Sequence, residues 1–578
     1  MKRFGFHESP VLASRPAFWR ARLVVIVLML GFTALGAKAL NVQILSNEFL
    51  QRQGERRYER TLVLQASRGK ILDRSGSVVL ASSMPARAIW TIPEDFHKAS
   101  EKQVAELARL LDTKPAELRR LTRDEDKNFV YLQRQVAMDK AKAIQQLKIP
   151  GVHQLAETRR FYPEGEVMAH IVGFTNIEDR GIEGIELAFN DLLSGQPGSR
   201  RVIKDRLGRV IEDVQAVVPP VDGQNLQLSI DAGIQFDTYT ALNAAMKAHQ
   251  ARAAAAIVLD TRTGEILAMV NLPSYDPNNT SERTGQALRN RVVTDTFEPG
   301  SIMKPFTAAL ALDEGKITTQ TQFDTGNGRY SYQGAVISDV SRNGVLDVGG
   351  IIQRSSNIGM TMISERLSSQ AMWEKFSALG FGRVPQTHFP GMASGRLRPW
   401  QRWRPIERAT MAYGYGLSVS LLQVAHAYTV FARNGDMVSL SLLRREGQPT
   451  SVQVYTPQVA RLMRGMLEAA AGPDGAKRAR VQGYRVAGKS GTARKIVDGQ
   501  YSKTKYRGSF VGLAPVSDPR IVVAVSIDEP STGGYYGGRV AAPVFSDIVS
   551  STLRRLGVRP DAPLDSLVAV AEQGERTQ

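Results

Sequence analysis

An uncharged apolar run near the amino terminus constrains this chain more than any other feature. Leu23 to Ala37, LVVIVLMLGFTALGA, carries no charge, and apolar character continues to Leu45, broken only by Lys38, Asn41 and Gln43. The 18 residues from Leu23 to Leu40 fall within the roughly 17–25 that a membrane-spanning helix needs, and Lys38 can snorkel to the headgroups. Lys2, Arg3, Arg15, Arg20 and Arg22 precede the run against the single Glu8. That excess of cations predicts residues 1–22 as a cytoplasmic tail and 23–45 as a single-pass membrane anchor, with the bulk of the chain exported. The alternative is a leader cleaved near Ala37-Lys-Ala39. Either way, residues beyond 45 meet no cytoplasmic ATP.

The 578 residues exceed what one hydrophobic core supports, so several domains are expected. A formal charge of +18 suits an anionic partner and does not choose among nucleic acid, acidic headgroups and a cell-wall polymer. With no cysteine and seven scattered histidines, thiolate ligation is excluded and metal-ligand spacing is missing; the chemistry expected is free of metal and cofactor. Residues 46–224 read as a mixed module of short strands and helices punctuated by turns, ending at the linker Val218-Pro-Pro-Val-Asp-Gly223. Within it, Gln103 to Leu121 reads as an amphipathic helix interrupted at Asp112 and Pro115. From 225 to 558 the pattern changes. Strand-like Leu226–Ile230, Ala253–Leu259, Glu265–Val270, Ser509–Leu513 and Ile521–Ile527 flank a helix-rich middle, which predicts an α+β domain with an antiparallel sheet and helices packed on it. The segment 559–578 reads as a loose polar tail.

Gly483-Tyr-Arg-Val-Ala-Gly-Lys-Ser490 fits G-x-x-x-x-G-K-[ST], the pattern of a phosphate-binding loop. Such a loop must follow a buried strand and open a helix, whose amino terminus supplies the N–H donors. Here the preceding Ala476-Lys-Arg-Ala-Arg-Val-Gln482 is too basic for a buried strand, and the turn signal Val497-Asp-Gly-Gln500 follows. Neither flank fits, so ATP binding is rejected. The rival reading takes Lys489-Ser490-Gly491-Thr492 as the edge strand of a serine acyl-transfer site and requires two further clusters upstream. The first is Glu298-Pro-Gly-Ser301-Ile-Met-Lys304-Pro305, where a spacing of three puts Ser301 and Lys304 on one helical face. Pro305 cannot donate to the Ser301 carbonyl, so the first turn should tighten toward 3-10 form. The second is Arg354-Ser355-Ser356-Asn357, in a break between two amphipathic stretches.

These three motifs, S-x-x-K, S-x-N and K-[ST]-G in that order, resemble the penicillin-binding proteins and class A β-lactamases. Further stretches are similar to class B penicillin-binding proteins of the septal FtsI type: Arg68-Gly-Lys-Ile-Leu-Asp-Arg74, Arg160-Phe-Tyr-Pro163, Thr263-Gly-Glu-Ile-Leu-Ala268, Pro273-Ser-Tyr-Asp-Pro-Asn278 and Ala412-Tyr-Gly-Tyr-Gly-Leu417. Ser490 replaces the usual threonine and keeps the hydroxyl. The resemblance implies a dimerisation-type pedestal over 46–224 and a transpeptidase domain over 225–558. It implies a peptidoglycan D,D-transpeptidase of the division septum that is a target of β-lactams. Stem peptides would be its substrates, and a polytopic membrane glycosyltransferase and other division proteins its partners; nucleic acid, ATP and cofactors have no part.

On this reading Ser301 is the nucleophile toward a D-alanyl-D-alanine carbonyl and the atom that β-lactams acylate. Lys304 is its base, kept neutral by burial beside Lys489. Ser355 and Lys489 relay a proton to the leaving amine, Asn357 orients Lys304 and the substrate amide, and the N–H groups of Ser301 and Thr492 form the oxyanion hole. Gly491 leaves the strand edge open for an added peptide strand. Ser490 and Thr492 hold the terminal carboxylate, and Ser356 lies among the substrate contacts. The resemblance adds Tyr413, Tyr506, Tyr535 and Tyr536 as walls of the cleft. Two rivals use the same pocket. A β-lactamase must also activate a water for deacylation, and a non-catalytic receptor for cell-wall peptides or penicillin must signal through a tail of some 22 residues.

Overall fold

The computed structural model describes residues 18–42, 59–204 and 210–563. The expectations for 43–45, for most of the cytoplasmic tail and for the tail beyond 563 lie outside the described residues. The chain divides into two compact units, one of 1–66 with 196–222 and one of 67–195 with 223–578.

In the first unit, helix α1 (Phe18–Leu40) carries the apolar run. It starts five residues before the expected anchor, because Arg20 and Arg22 remain helical. Its 23 residues span ~34 Å at 1.5 Å per residue, and it is long and apolar enough to cross a membrane. The same unit holds a three-stranded antiparallel sheet of Glu59–Leu64, Gly198–Lys204 and Val210–Val218.

In the second unit, Val79–Thr91 pairs on its two edges with Val130–Ala137 and Val152–Phe161. A small core of Ile89, Phe96, Val104, Leu107, Leu118 and Ile144 lies against this sheet. The helix expected over 103–121 is two, Glu101–Leu110 and Pro115–Leu121. Asp112, at φ +56°, turns the chain between them, and Pro115 starts the second, where its missing N–H costs nothing. The expected strand 226–230 is regular only at Leu226–Gln227, where it pairs in parallel with Ile71–Leu72.

The same unit contains a five-stranded antiparallel sheet of β1 (Ala253–Asp260), β2 (Ile266–Leu272), β3 (Ala487–Val497), β4 (Gln500–Ala514) and β5 (Ile521–Asp528), in spatial order β2-β1-β5-β4-β3. Every residue of β1 and β5 is buried, which is why these strands read as continuous apolar runs rather than alternating ones. Alternation persists in which core each residue enters. Ala254, Ala256 and Val258 join one hydrophobic cluster, with helix Ala542–Arg555. Ala255, Ile257 and Leu259 join the other, with the helical middle. That middle supplies α2 (Lys304–Asp313), α3 (Val348–Arg354), α4 (Asn357–Glu365), α5 (Ser369–Ala378) and α6 (Leu421–Ala432). Strand β3, which carries Lys489 to Thr492, is a sheet edge paired only with β4, Gly491 standing opposite Ser509.

Candidate active site

Residues 300–303 form a 3-10 turn that leads into α2, and the Lys304 N–H closes it on the Ser301 carbonyl, as the proline at 305 demands. Gly300 opens the turn in the left-handed region at φ +58°. Its N–H donates to the Gly414 carbonyl at 2.9 Å, and a Cβ on Gly414 would lie 2.1 Å from the Gly300 oxygen. The Tyr413-Gly-Tyr-Gly416 loop and the serine turn therefore fit only with glycine at 414. From below, the buried Tyr428 hydroxyl of α6 donates to the Ile302 carbonyl at 2.8 Å.

Strand β3 meets this turn at Gly491. A Cβ there would stand 2.9 Å from Ile302 Cγ2 and 3.1 Å from the Pro299 oxygen. The glycine at 491 thus admits the serine turn against one face of the strand, a role additional to the expected one at the strand's edge. Lys489 shares that inward face by the strand's twofold alternation and is 2% exposed. Ser490 and Thr492 lie on the opposite face. There the Gly537 N–H donates to Thr492 Oγ1 at 3.1 Å, which leaves the hydroxyl's own proton free. The 483–492 stretch forms no helix-heading loop, since β3 begins at Ala487.

Lys304 is fully buried. Its ammonium nitrogen donates to the Ser355 carbonyl, and Ser355 Oγ lies at 3.2 Å. Ser355 ends α3 in the left-handed conformation at φ 59°, and this single residue turns the hydroxyl back toward the amine. Burial, with the second cation Lys489 adding to it, holds the Lys304 amine well below the ordinary lysine value, while Asp339 acts weakly in the opposite sense. Burial pushes Lys489 down to about 8. Among the described residues neither amine has a carboxylate within ion-pair distance.

One assignment differs from expectation. Ser356 is 1% exposed; its Oγ accepts from the Gly359 N–H at 2.9 Å and donates to Asp339 Oδ2 at 2.5 Å. It is the cap of α4, with no hydroxyl left for a substrate, because helix-starting N–H groups must be satisfied somewhere. Asn357 Nδ2 donates one proton to the Ser338 carbonyl at 3.0 Å, which fixes the side chain beside the Ser355 turn and leaves its second N–H and its Oδ1 for other partners. Sequence reasoning missed the organiser of this turn, Asp339. Its Oδ1 accepts from the N–H groups of Asn357 (2.6 Å) and Ile358 (3.1 Å), beside the Ser356 contact. It also missed Glu298, whose Oε1 accepts from the Gly416 N–H at 2.7 Å and the Tyr501 hydroxyl at 3.1 Å; its adjacency to the Ser301 motif was the available signal.

Tyr413 is buried and meets Tyr415 edge to face at 5.9 Å, and so packs within the loop that backs the serine turn. Tyr506 stacks on Tyr535 at 4.0 Å and Tyr535 on Tyr536 at 4.6 Å. This stack borders β3 and β4, where Gly537 approaches the Gly491 and Ser509 carbonyls too closely for any side chain. Among the described residues no His, Asp and Glu cluster is arranged to hold a metal.

Two family descriptions match the chain: "Penicillin-binding Protein dimerisation domain" over residues 63–228 and "Penicillin binding protein transpeptidase domain" over residues 254–550. A probable peptidoglycan D,D-transpeptidase PbpC of Pseudomonas aeruginosa is 41% identical over 97% of this chain and 99% of its own length. The peptidoglycan D,D-transpeptidase FtsI of Escherichia coli is 39% identical over 97% and 96%. Among solved structures, the apo transpeptidase domain of Burkholderia pseudomallei penicillin-binding protein 3 is 52% identical with a TM-score of 0.54, covering 58% of this chain and 98% of that one. A peptidoglycan synthetase from Bifidobacterium adolescentis is 25% identical with a TM-score of 0.71, covering 87% and 98%.

Proposed function

This chain belongs to the penicillin-binding protein transpeptidase family, and on that premise we propose that it cross-links peptidoglycan stem peptides at the division septum through a Ser301 acyl-enzyme. It is a peptidoglycan D,D-transpeptidase. Ser301 Oγ adds to the penultimate D-alanine carbonyl while its proton passes to the neutral Lys304 amine. The oxyanion is received by the N–H groups of Ser301 and Thr492. The C–N bond to the terminal D-alanine then breaks, and the leaving amine takes a proton through Ser355 and Lys489. In the second half, Lys304, neutral again once its proton has passed through Ser355 and Lys489 to the leaving amine, takes the proton of the acceptor amine as that amine adds to the ester carbonyl, and returns it to Ser301 Oγ as the ester bond breaks.

Ser490 and the unspent Thr492 proton hold the substrate carboxylate on the outer face of β3. The tyrosine stack walls that side. A β-lactam enters as a donor mimic and stays on Ser301. Helix α1 anchors the chain in the inner membrane with the enzyme in the periplasm, beside the membrane glycosyltransferase that makes the glycan strands; the segments 46–224 and 225–558 serve as pedestal and transpeptidase domain.

The observation that carries this reading is the burial of two lysines, without a carboxylate, beside one serine-bearing turn. Full-length protein labelled with a fluorescent penicillin tests it. Wild type should take up one equivalent and hold it, and Ser301→Ala none; labelling of that variant at the wild-type level overturns the assignment.

A further inference from the structure

The loop that follows β5 carries Tyr535 and Tyr536 beside β3, and its root is held by a residue far away in the sequence. Helix Ala232–Ala248 ends at His249, where the carbonyls of the last turn need donors from elsewhere. The His249 carbonyl accepts from the Ser531 N–H at 3.0 Å and from the Thr532 N–H at 3.1 Å. The half-buried ring completes the joint. Its Nδ1 lies 3.0 Å from the Thr532 carbonyl, and because a carbonyl only accepts, Nδ1 carries the proton. Ser531 Oγ donates to the Gln250 carbonyl at 3.1 Å, and Arg252 Nη1 lies 3.0 Å from Glu529 Oε1. Glu529, Ser531 and Thr532 are thus each tied to the stretch 249–252.

Beyond this joint the chain turns through Gly533 and Gly534, at φ +78° and +93°. Gly533 lies against the imidazole, where a Cβ would stand 3.0 Å from Nδ1. The chain is fixed again at Gly537, whose N–H meets Thr492 Oγ1. Both tyrosines therefore sit on the short span 533–536, anchored at each end. Without the joint, the free span would run back to Glu529, whose N–H donates to the Tyr506 carbonyl at 2.9 Å, and ordering the longer span costs more backbone entropy. The two N–H groups of the joint go to a main-chain carbonyl, which any residue at 249 supplies. What the histidine side chain adds is the bond to Thr532, on the loop itself.

We propose that His249 is a positioning residue for substrate recognition: through Thr532 it fixes the root of the loop that stacks Tyr535 and Tyr536 beside Tyr506 and brings Gly537 to Thr492. It sets the outer wall of the cleft without touching the substrate. The inference rests on the placement of the substrate carboxylate on that face of β3 given above.

The test uses full-length protein in lipid nanodiscs. Stopped-flow acylation by benzylpenicillin over a range of concentrations separates the half-saturating concentration from the limiting rate. His249→Ala should raise the former about fivefold, the net worth of one neutral hydrogen bond, and leave the limiting rate within about twofold, because Ser301 and the two lysines are untouched. His249→Asn, whose amide N–H can replace Nδ1–H, should restore the half-saturating concentration to within about twofold of wild type. In a Tyr535→Ala background, His249→Ala should add less than about twofold, since the two residues act as one unit. Hydrogen exchange of the peptide holding Ser531 and Thr532, in unacylated protein, reads the joint apart from the chemistry: it should quicken about fivefold in His249→Ala and stay slow in His249→Asn. Acylation at a residue other than Ser301 would defeat the acyl-enzyme reading and leave that exchange result standing. An unchanged half-saturating concentration, a loss confined to the limiting rate, full additivity with Tyr535→Ala or unchanged exchange overturns the proposal.

Discussion

At Glu186 two guanidinium groups and one carboxylate are buried together; at Lys304 and Lys489 two amines are buried and, among the described residues, no carboxylate lies within ion-pair distance of either. In the first cluster, Arg68 Nε lies 2.7 Å from one Glu186 oxygen and Arg160 Nε 2.6 Å from the other, all three side chains at most 2% exposed. The remaining guanidinium protons go to the carbonyls of Asp179, Glu186 and Gly69 and to Asn190 and Ser194. Desolvation is offset there by full pairing. In the second cluster no ion pair offsets it, only hydrogen bonds to the Ser355 and Ser490 carbonyls and a minor attraction from Asp339, and the consequence falls on protonation: both lysines are pushed toward the neutral form. One arrangement ties Arg68, Arg160 and Glu186 together, and the other, on the proposed mechanism, keeps a base next to a hydroxyl. Burial of charge is thus structural or chemical according to whether the counter-charge is supplied.

If the contrast is real, removing a charge should have opposite consequences in the two places. The largest effect expected is on catalysis. Lys304→Met should slow penicillin acylation by roughly 10²–10⁴, the usual worth of a general base, measured by stopped-flow on the full chain. Yet its thermal midpoint should stay at or above wild type, because an unfavourably buried amine has gone. A large fall in the midpoint would mean that Lys304 is a structural pillar. Glu186→Ala should do the reverse. It strands two buried guanidinium groups and should cost about 3–5 kcal/mol, read as a lower midpoint, while the folded fraction acylates at the normal rate. A smaller effect should come from Asp339→Ala, which leaves the Asn357 and Ile358 N–H groups and the Ser356 hydroxyl without their acceptor. A loss of about 1–3 kcal/mol should appear in the acylation barrier through the loosened Ser355 turn. An unchanged acylation rate would remove Asp339 from the site.

How far each cluster could be read from the chain depends on the distance over which it is encoded. The serine turn, the helix that follows it and the strand pair 253–260 and 266–272 were legible, since spacing, proline and turn residues act within a few positions. The order of the three motifs carried the catalytic set, although the contacts joining them span 51 residues from Lys304 to Ser355. Asp339 was not legible. It caps α4 from a hairpin 17 positions before Ser356, and an aspartate in a polar turn carries no local mark of that task. The second task of Gly491 was not legible, because a strand seen alone has two free faces and only packing shows that Ile302 occupies one. Ser356 looked like a substrate contact because a hydroxyl beside a motif is indistinguishable, in one dimension, from a helix cap. The grouping of 67–195 with 223–578 likewise depends on contacts such as Gly223 N–H to the Ser67 carbonyl, between positions that no local pattern pairs.

The protonation of Lys304 is the point on which the mechanism turns, and the pH dependence of acylation reads it directly. With second-order acylation by benzylpenicillin followed from pH 5 to 10 on the full chain, a lowered lysine value means that the rate reaches its plateau at a pH well below the ordinary lysine range. The acid limb should come from Lys304 gaining a proton. On the alkaline side a decline near 8 is expected as Lys489, held at about 8, loses its charge, and Lys489→Gln should erase that limb. A rate that keeps climbing through pH 9 to 10, tracking an ordinary lysine value of about 10.4, would contradict the account.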